Sequence, residues 1–349
     1  MASQGHTAPR PALLSTVRGQ PTAVETLRRA LGTGRVHHAY LFEGPDGVGK
    51  ERTAFGVAQG LVCEKRGDGV QPEETAGACG VCRACVQAVP RPGEARPMHP
   101  DVVVIERGLY EPAAIGRRTP ETQDISIDQI RSLVLARAAF PPTQGRAKVF
   151  VVRRAEELSQ GAANALLKTL EEPGARTHFI LLSSVGDSLL PTIRSRVQRV
   201  RFGPLPESLV AELLVLREVD AARATELARL SGGSMATALA LSDPEATAQR
   251  EELVSRATAA LAARDLGPAL EVAELAKKLG KDALTATLDA FAVAVAARAR
   301  QAALSTETGA RTAEAAAIRY SQVLATIRQL DGNAAAQLAV EAMFIKMRG

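Results

Sequence analysis

Gly44-Pro45-Asp46-Gly47-Val48-Gly49-Lys50 matches the first seven positions of the phosphate loop G-x-x-x-x-G-K. The apolar run before it, His38-Ala39-Tyr40-Leu41-Phe42, reads as a buried strand, and residues 49–62 read as a helix. A glycine-rich turn between strand and helix points backbone N–H groups at a phosphate, and Lys50 reaches the terminal phosphates. The eighth position, Ser or Thr in a working loop, is Glu51. A hydroxyl there ligates magnesium, whereas a carboxylate repels phosphate. Thr53 is no substitute, because two residues along a helix turn it by about 200° to another face. Two readings stay open: weak nucleotide binding through Gly44, Gly47, Gly49 and Lys50, or a glycine-rich turn without a ligand.

Working outward, strands and helices alternate through the first 200 residues. Strands are expected over 101–105, 148–152 and 178–184, with helices over 127–137 and 159–170 and a loop over 106–124. Such alternation implies an α/β domain with a mainly parallel sheet covered on both faces. After Phe202 the strand pattern stops. Gly203-Pro204 marks one boundary and Ser242-Asp243-Pro244 another, with three short helices between them. The remainder to Gly349 is rich in Ala and Leu and reads as four or five amphipathic helices. Hydrophobic residues make up 46% of the chain but aromatics only 3%, with no Trp, so the core must be built from Ala, Leu and Val, which suits packed helices.

ATP hydrolysis on such a fold also needs an acidic pair at the end of a later strand, to hold magnesium and polarise water. The candidate strand, Lys148-Val-Phe-Val-Val152, ends in Arg153-Arg154-Ala155-Glu156. Arginines therefore stand where the acids belong, and Glu156 and Glu157 come too late, on the following turn. No hydrolysis by the chain on its own is expected.

All four cysteines, Cys63, Cys79, Cys82 and Cys85, fall in one window. The last three form a C-x2-C-x2-C run, the close spacing of thiolates converging on one metal. Gly67, Gly69, Gly77 and Gly80 let the chain double back to bring in Cys63. A structural zinc held by all four is expected, with unligated thiols as the alternative. No signal-peptide pattern or run of about 18 apolar residues is evident, so a cytosolic protein with no membrane partner is expected. The net charge of +5 is compatible with a nucleic-acid partner but does not demand one.

Asn164-Ala-Leu-Leu-Lys-Thr-Leu-Glu-Glu-Pro173 resembles the signature of the bacterial clamp-loader subunits, delta-prime and the tau/gamma motor, within the AAA+ class. Arg18-Gly-Gln20, residues 34–42, the four-cysteine module and Thr192-Ile-Arg-Ser-Arg196 follow that family's order. The resemblance covers about residues 12–240. Read alone, 164–173 is an ordinary helix with Leu166, Leu167 and Leu170 on its buried stripe and Pro173 stopping it.

The resemblance implies an AAA+ core over 1–203 carrying the zinc module at 63–85, a helical lid over 204–243 and a helical collar over 244–349. Ser195-Arg196-Val197 resembles the family's Ser-Arg-Cys motif, so Arg196 is implied as an arginine finger acting in trans on a neighbour's ATP. The plainer alternative makes Arg194, Arg196, Arg199 and Arg201 a solvated basic run. Ser183 or Ser184 falls at the sensor-1 position, and Ala236 stands where the motor would carry a sensor-2 arginine. Loss of the engine with retention of the finger is the delta-prime pattern. The implied partners are tau/gamma and delta, and through them the sliding clamp and primer-template DNA, within a DNA-directed DNA polymerase holoenzyme. The rivals are an ATP-hydrolysing tau/gamma-type motor and a zinc-stabilised nucleic-acid module. Three Tyr and eight Phe offer the second rival no stacking platform.

Overall fold

The computed structural model describes residues 12–65, 77–118, 124–305, 309–331 and 334–348. Gly67 and Gly69 lie outside the described residues, as do residues 119–123 of the expected loop. The chain divides into two compact units, Met1–Ala236 and Thr237–Gly349.

The first unit is built on five parallel strands: β1 Ala39–Glu43, β2 Val102–Ile105, β3 Lys148–Val152, β4 Thr177–Ser183 and β5 Gln198–Arg201. Their spatial order is β2-β3-β4-β1-β5. Every residue of β1, β2 and β3 is buried, which is why these strands read as continuous apolar runs and not as alternations. One face packs Leu41, Phe150 and Phe179 against Ile130, Leu133, Leu166 and Leu170, with the Phe150 and Phe179 rings stacked at 5.1 Å.

Helices fill the connections. α1 (Pro21–Thr33) opens on proline and ends at Gly34, whose φ of 71° gives the left-handed stop that favours glycine. α2 (Lys50–Val62) follows β1, and the short α3 (Arg83–Gln87) carries the last cysteine. α4, residues 127–138, starts under a Ser126 cap on the Gln129 N–H and passes through a π-type turn at Arg131–Leu135. Lys148 Nζ, buried at the start of β3, donates to the carbonyls of Arg137 (2.6 Å) and Phe140 (3.0 Å), satisfying the end of that helix. α5 (Gln160–Glu171) starts under Ser159, whose hydroxyl accepts from the Ala162 N–H. The one-turn α6 (Pro191–Arg194) precedes β5.

The expected strands and helices of this unit are present to within a residue or two. The sequence reading assigned no helix to the segments that form α1, α3 and α6, and two further features depart from it. Residues 112–115 form a 3-10 turn within the segment read as loop, and 198–201, read as part of a basic run, is an edge strand. α7 (Glu207–Val215), α8 (Ala221–Leu230) and α9 (Met235–Ser242) are the three short helices foreseen after Phe202. The boundary between the compact units falls inside α9, and residues 204–236 group with the strands.

The second unit contains α10 (Pro244–Ala262), α11 (Gly267–Lys278), α12 (Lys281–Ser305), α13 (Gly309–Asp331) and α14 (Ala336–Arg348). Its core joins Val272, Ala273, Leu288, Phe291, Val323 and Phe344. Small alanines let these helices approach closely, and Arg348 donates to the Ala260 carbonyl at 2.9 Å, holding the end of α14 to that of α10. The α/β P-loop core followed by an all-helical unit is the AAA+ architecture expected from sequence.

Candidate functional site

The loop 44–50 has the conformation its glycines permit, with φ of 148° at Gly44, 73° at Gly47 and 103° at Gly49. The space beside Gly44 and Gly47 is filled by protein, while that beside Gly49 is nearly open. A Cβ on Gly47 would lie 2.2 Å from the Ala236 nitrogen, and one on Gly44 would lie 2.1 Å from the Phe202 carbonyl oxygen. Ser234 Oγ also donates to the Asp46 carbonyl at 2.7 Å. Lys50 is buried and turned back on its own loop, donating to the carbonyl oxygens of Gly44 and Pro45 (2.7 Å to the latter) and pairing with Asp46 at 3.2 Å. Thr53 Oγ1 donates to the Gly49 carbonyl at 2.8 Å, and the residue is fully buried.

Glu51 and Arg153, two of the three residues that stand where magnesium-handling groups are expected, meet each other. The Arg153 guanidinium pairs with Glu51 and, through Nη1, with Glu106 at 2.7 Å. Burial pulls the Arg153 pKa down, but Glu106 and Glu51 outweigh it and hold the guanidinium above its ordinary value. One fixed cation between two carboxylates thus links α2, β3 and the end of β2, where a metal site would need acids and a hydroxyl. Arg153→Ala is expected to lower stability by about 1–2 kcal/mol in chemical denaturation. That is less than the roughly 3–5 kcal/mol typical of breaking a buried pair, because Glu51 is half exposed. An unchanged midpoint would show that the pair holds nothing together.

The acids that follow β3 are engaged elsewhere. Arg154 takes a left-handed φ of 47°, and Ala155–Glu157 form a 3-10 turn. Glu156 accepts from the Ser184 N–H (3.2 Å) and hydroxyl (2.7 Å), while Glu157 pairs with Arg107 and Arg154, each at 3.4 Å. Ser183 is buried at the end of β4 and accepts from the Val185 N–H.

The arginines of 194–201 are ion-paired, although Arg199 and Arg201 remain exposed to solvent. Arg199 and Arg201 lie two residues apart on β5 and so share a face. Both reach Glu43, the buried last residue of β1, at 2.6 and 3.0 Å. Arg194 and Arg199 each meet Asp187 at 3.0 Å. Arg196 points the other way. Its Nη2 pairs with Glu171 at 2.5 Å, and its Nη1 donates to the Thr192 carbonyl (2.9 Å) and Ser195 Oγ (3.1 Å). Sequence reasoning missed Glu43, Asp187 and Glu171 as partners. The alternation of Arg199 and Arg201 about the apolar Val200 was the available signal for an edge strand.

The four cysteines come together. One sulfur from each of Cys63, Cys79, Cys82 and Cys85 lies within 4.8 Å of all the others. Cys79 and Cys85 sulfurs are 3.9 Å apart, against about 3.8 Å between ligands of a tetrahedral four-sulfur zinc site. Backbone N–H groups of Cys79, Cys82 and Cys85 donate to the sulfurs of Cys63, Cys79 and Cys82 at 3.3–3.4 Å, as suits thiolates. Hydrogen bonding with Cys85, against the opposing effect of burial, pulls the Cys63 thiol down to about 5. Burial pushes Cys82 up, and the Cys63 contact together with burial pushes Cys85 up. Gly77 and Gly80 both have left-handed φ, 82° and 72°, at the turns that bring Cys79 and Cys82 round. The cluster could hold one metal ion with no open ligand position.

The family model described as DNA polymerase III, delta subunit, matches residues 19–206, more than half of the chain. The chain belongs to this family, that of the clamp loader. The delta-prime subunit of Pseudomonas aeruginosa is 37% identical over 227 residues, covering 64% of this chain and 61% of that protein. The gamma/tau subunit of Mycobacterium tuberculosis is 35% identical over 206 residues, covering 59% of this chain and 31% of its own length. The chain therefore spans about a third of the gamma/tau relative and about three fifths of the delta-prime relative. A gamma subunit-related protein of known structure from Thermotoga maritima is 20% identical, with 93% of this chain and 98% of that one covered and a TM-score of 0.41. No described helix is long and apolar enough to cross a membrane.

Proposed function

We propose that this clamp-loader chain is of the delta-prime type: it hydrolyses no ATP itself and lends Arg196 in trans to the ATP site of a neighbouring motor subunit. The observation that carries this reading is Arg153 seated between Glu51 and Glu106, an internal ion pair where a motor would hold magnesium. A guanidinium cannot exchange for a divalent metal, and it offsets one of the two carboxylate charges of Glu51 and Glu106. Lys50, committed to its own loop carbonyls, and Ala236, packed on Gly47, support the same conclusion for Gly44, Gly47, Gly49 and Lys50 as a degenerate nucleotide site.

Arg196 lies at the end of the chain segment that precedes the edge strand β5, with its guanidinium in an open cleft. A positive group presented there can meet negative charge developing on a phosphoryl group of an adjacent subunit, an effect of ~10³–10⁵ in rate in other NTPases. The partners under this reading are tau/gamma and delta, acting with the sliding clamp and primer-template DNA in the cytoplasm as part of the polymerase holoenzyme. The core, lid and collar divide at about 203 and 243, and the four cysteines hold one structural zinc.

The purified chain is expected to show no ATPase activity above background. Steady hydrolysis that Lys50→Ala abolishes would overturn the reading in favour of a tau/gamma-type motor, which similarity to the gamma/tau relatives also accommodates. Pull-down with tau/gamma and delta, followed by ATPase assay with and without this chain, tests the partner assignment. Failure to join that complex would reject it.

A further inference from the structure

Arg196 does not stand free in its cleft. The cleft encloses about 630 Å³ and is walled by His37, His38, Glu171, Ser195 and Gln198, with the two imidazole rings stacked at 4.3 Å. Glu171 is the one acidic side chain among its described lining residues, and it is the one that grips Arg196 Nη2, at 2.5 Å. It comes from the last turn of α5, in the Glu171-Glu172-Pro173 ending that the apolar stripe of that helix does not explain. Both partners are partly exposed, Arg196 at 35% and Glu171 at 47%, so an incoming anion can reach the pair from solvent.

We propose that Glu171 is an internal stand-in for phosphate: it occupies the finger arginine until the anionic group of a neighbour's nucleotide displaces it. This rests on the reading of Arg196 as a trans finger. The two contacts on Nη1, to the Thr192 carbonyl and Ser195 hydroxyl, orient the guanidinium from its own segment and leave Nη2 as the exchangeable donor. A carboxylate and a phosphate oxygen compete for the same N–H, so the resting pair withholds the finger at a small cost. An exposed ion pair of this kind contributes little, so displacement costs a factor of about two to five. The device sets a threshold: a weakly held or misplaced anion does not recruit Arg196, and a well-placed phosphoryl group does. Glu171 is thus a positioning residue acting through Arg196.

The test uses the reconstituted complex with its motor and delta subunits, assembly being checked for each variant, and ATP as the probe. Arg196→Ala, Glu171→Gln and the double variant are compared with the unaltered chain. At the one site Arg196 serves, Glu171→Gln is expected to raise kcat/KM for ATP about two- to five-fold, and the complex as a whole by less, with a gain that shrinks as salt screens the pair in the unaltered complex. The gain should vanish in the Arg196→Ala background. If Arg196→Ala slows the complex while Glu171→Gln leaves kcat/KM unchanged or lowers it, the stand-in role is overturned and the finger remains. A gain that persists without Arg196 overturns it as well. If Arg196→Ala itself has no effect, it is the finger reading that fails.

Discussion

Cys82→Ser is expected to abolish stoichiometric metal binding and to lower the thermal midpoint of the first unit by well over 10 °C. The protein purified without added zinc should carry one equivalent per chain, and the variant well below one. The size follows from the coupling of metal binding to folding. A structural zinc contributes apparent binding free energies of about 10–16 kcal/mol in small zinc peptides, a large figure beside total domain stabilities of about 5–15 kcal/mol. Here the cluster closes a long excursion between α2 and β2, and Cys63 and Cys85 are fully buried. Elemental analysis with a melting curve, with and without a strong chelator, checks the prediction. A metal content unchanged in Cys82→Ser would reject the four-cysteine site, and a full equivalent lost with no change in melting would reject its structural role.

Arg196→Ala is expected to slow the DNA- and clamp-stimulated ATPase of the reconstituted complex by at least ten-fold at the one site it serves, with assembly intact. The total rate should fall only in part, because a ring with several motor sites loses a single finger. The reason, on the trans-finger reading, is electrostatic: a guanidinium oriented by the Thr192 carbonyl and Ser195 hydroxyl meets negative charge as it develops on the phosphoryl group. Arg194→Ala is the matched control, since that arginine pairs with Asp187 on the same short segment but takes no part in the Glu171 cleft. Loss of an interface charge can also weaken association, so subunit content must be measured beside the rate. Equal losses from the two variants, or an unchanged rate in a fully assembled Arg196→Ala complex, would remove the finger role.

Much of this chain is legible in its sequence. The glycine loop, the missing hydroxyl at Glu51, the arginines after β3 and the cysteine spacing each depend on residues close together in sequence, where local geometry decides the chemistry. The strand and helix alternation was equally local, because buried parallel strands must be apolar throughout. β5 escaped because it is an edge strand: three of its four residues are polar and exposed, and only Val200 is buried, so it carried no apolar run to read.

Pairing over distance was a matter for the tertiary structure. Glu51 and Arg153 are 102 residues apart, and as isolated observations each was only a loss; the sheet order brings α2 against β3 and turns two losses into one ion pair. Arg196 likewise had a sequence motif but no partner until the end of α5 came beside the segment preceding β5. Ala236 was an absent arginine in the sequence, whereas in the fold its backbone lies against Gly47, so that position 47 admits no side chain, while Ala236 itself is exposed. Local spacing determined which groups this chain has and lacks. Which charges neutralise one another was decided by the packing of the sheet, since an ion pair depends on distance in space and leaves no period in the sequence.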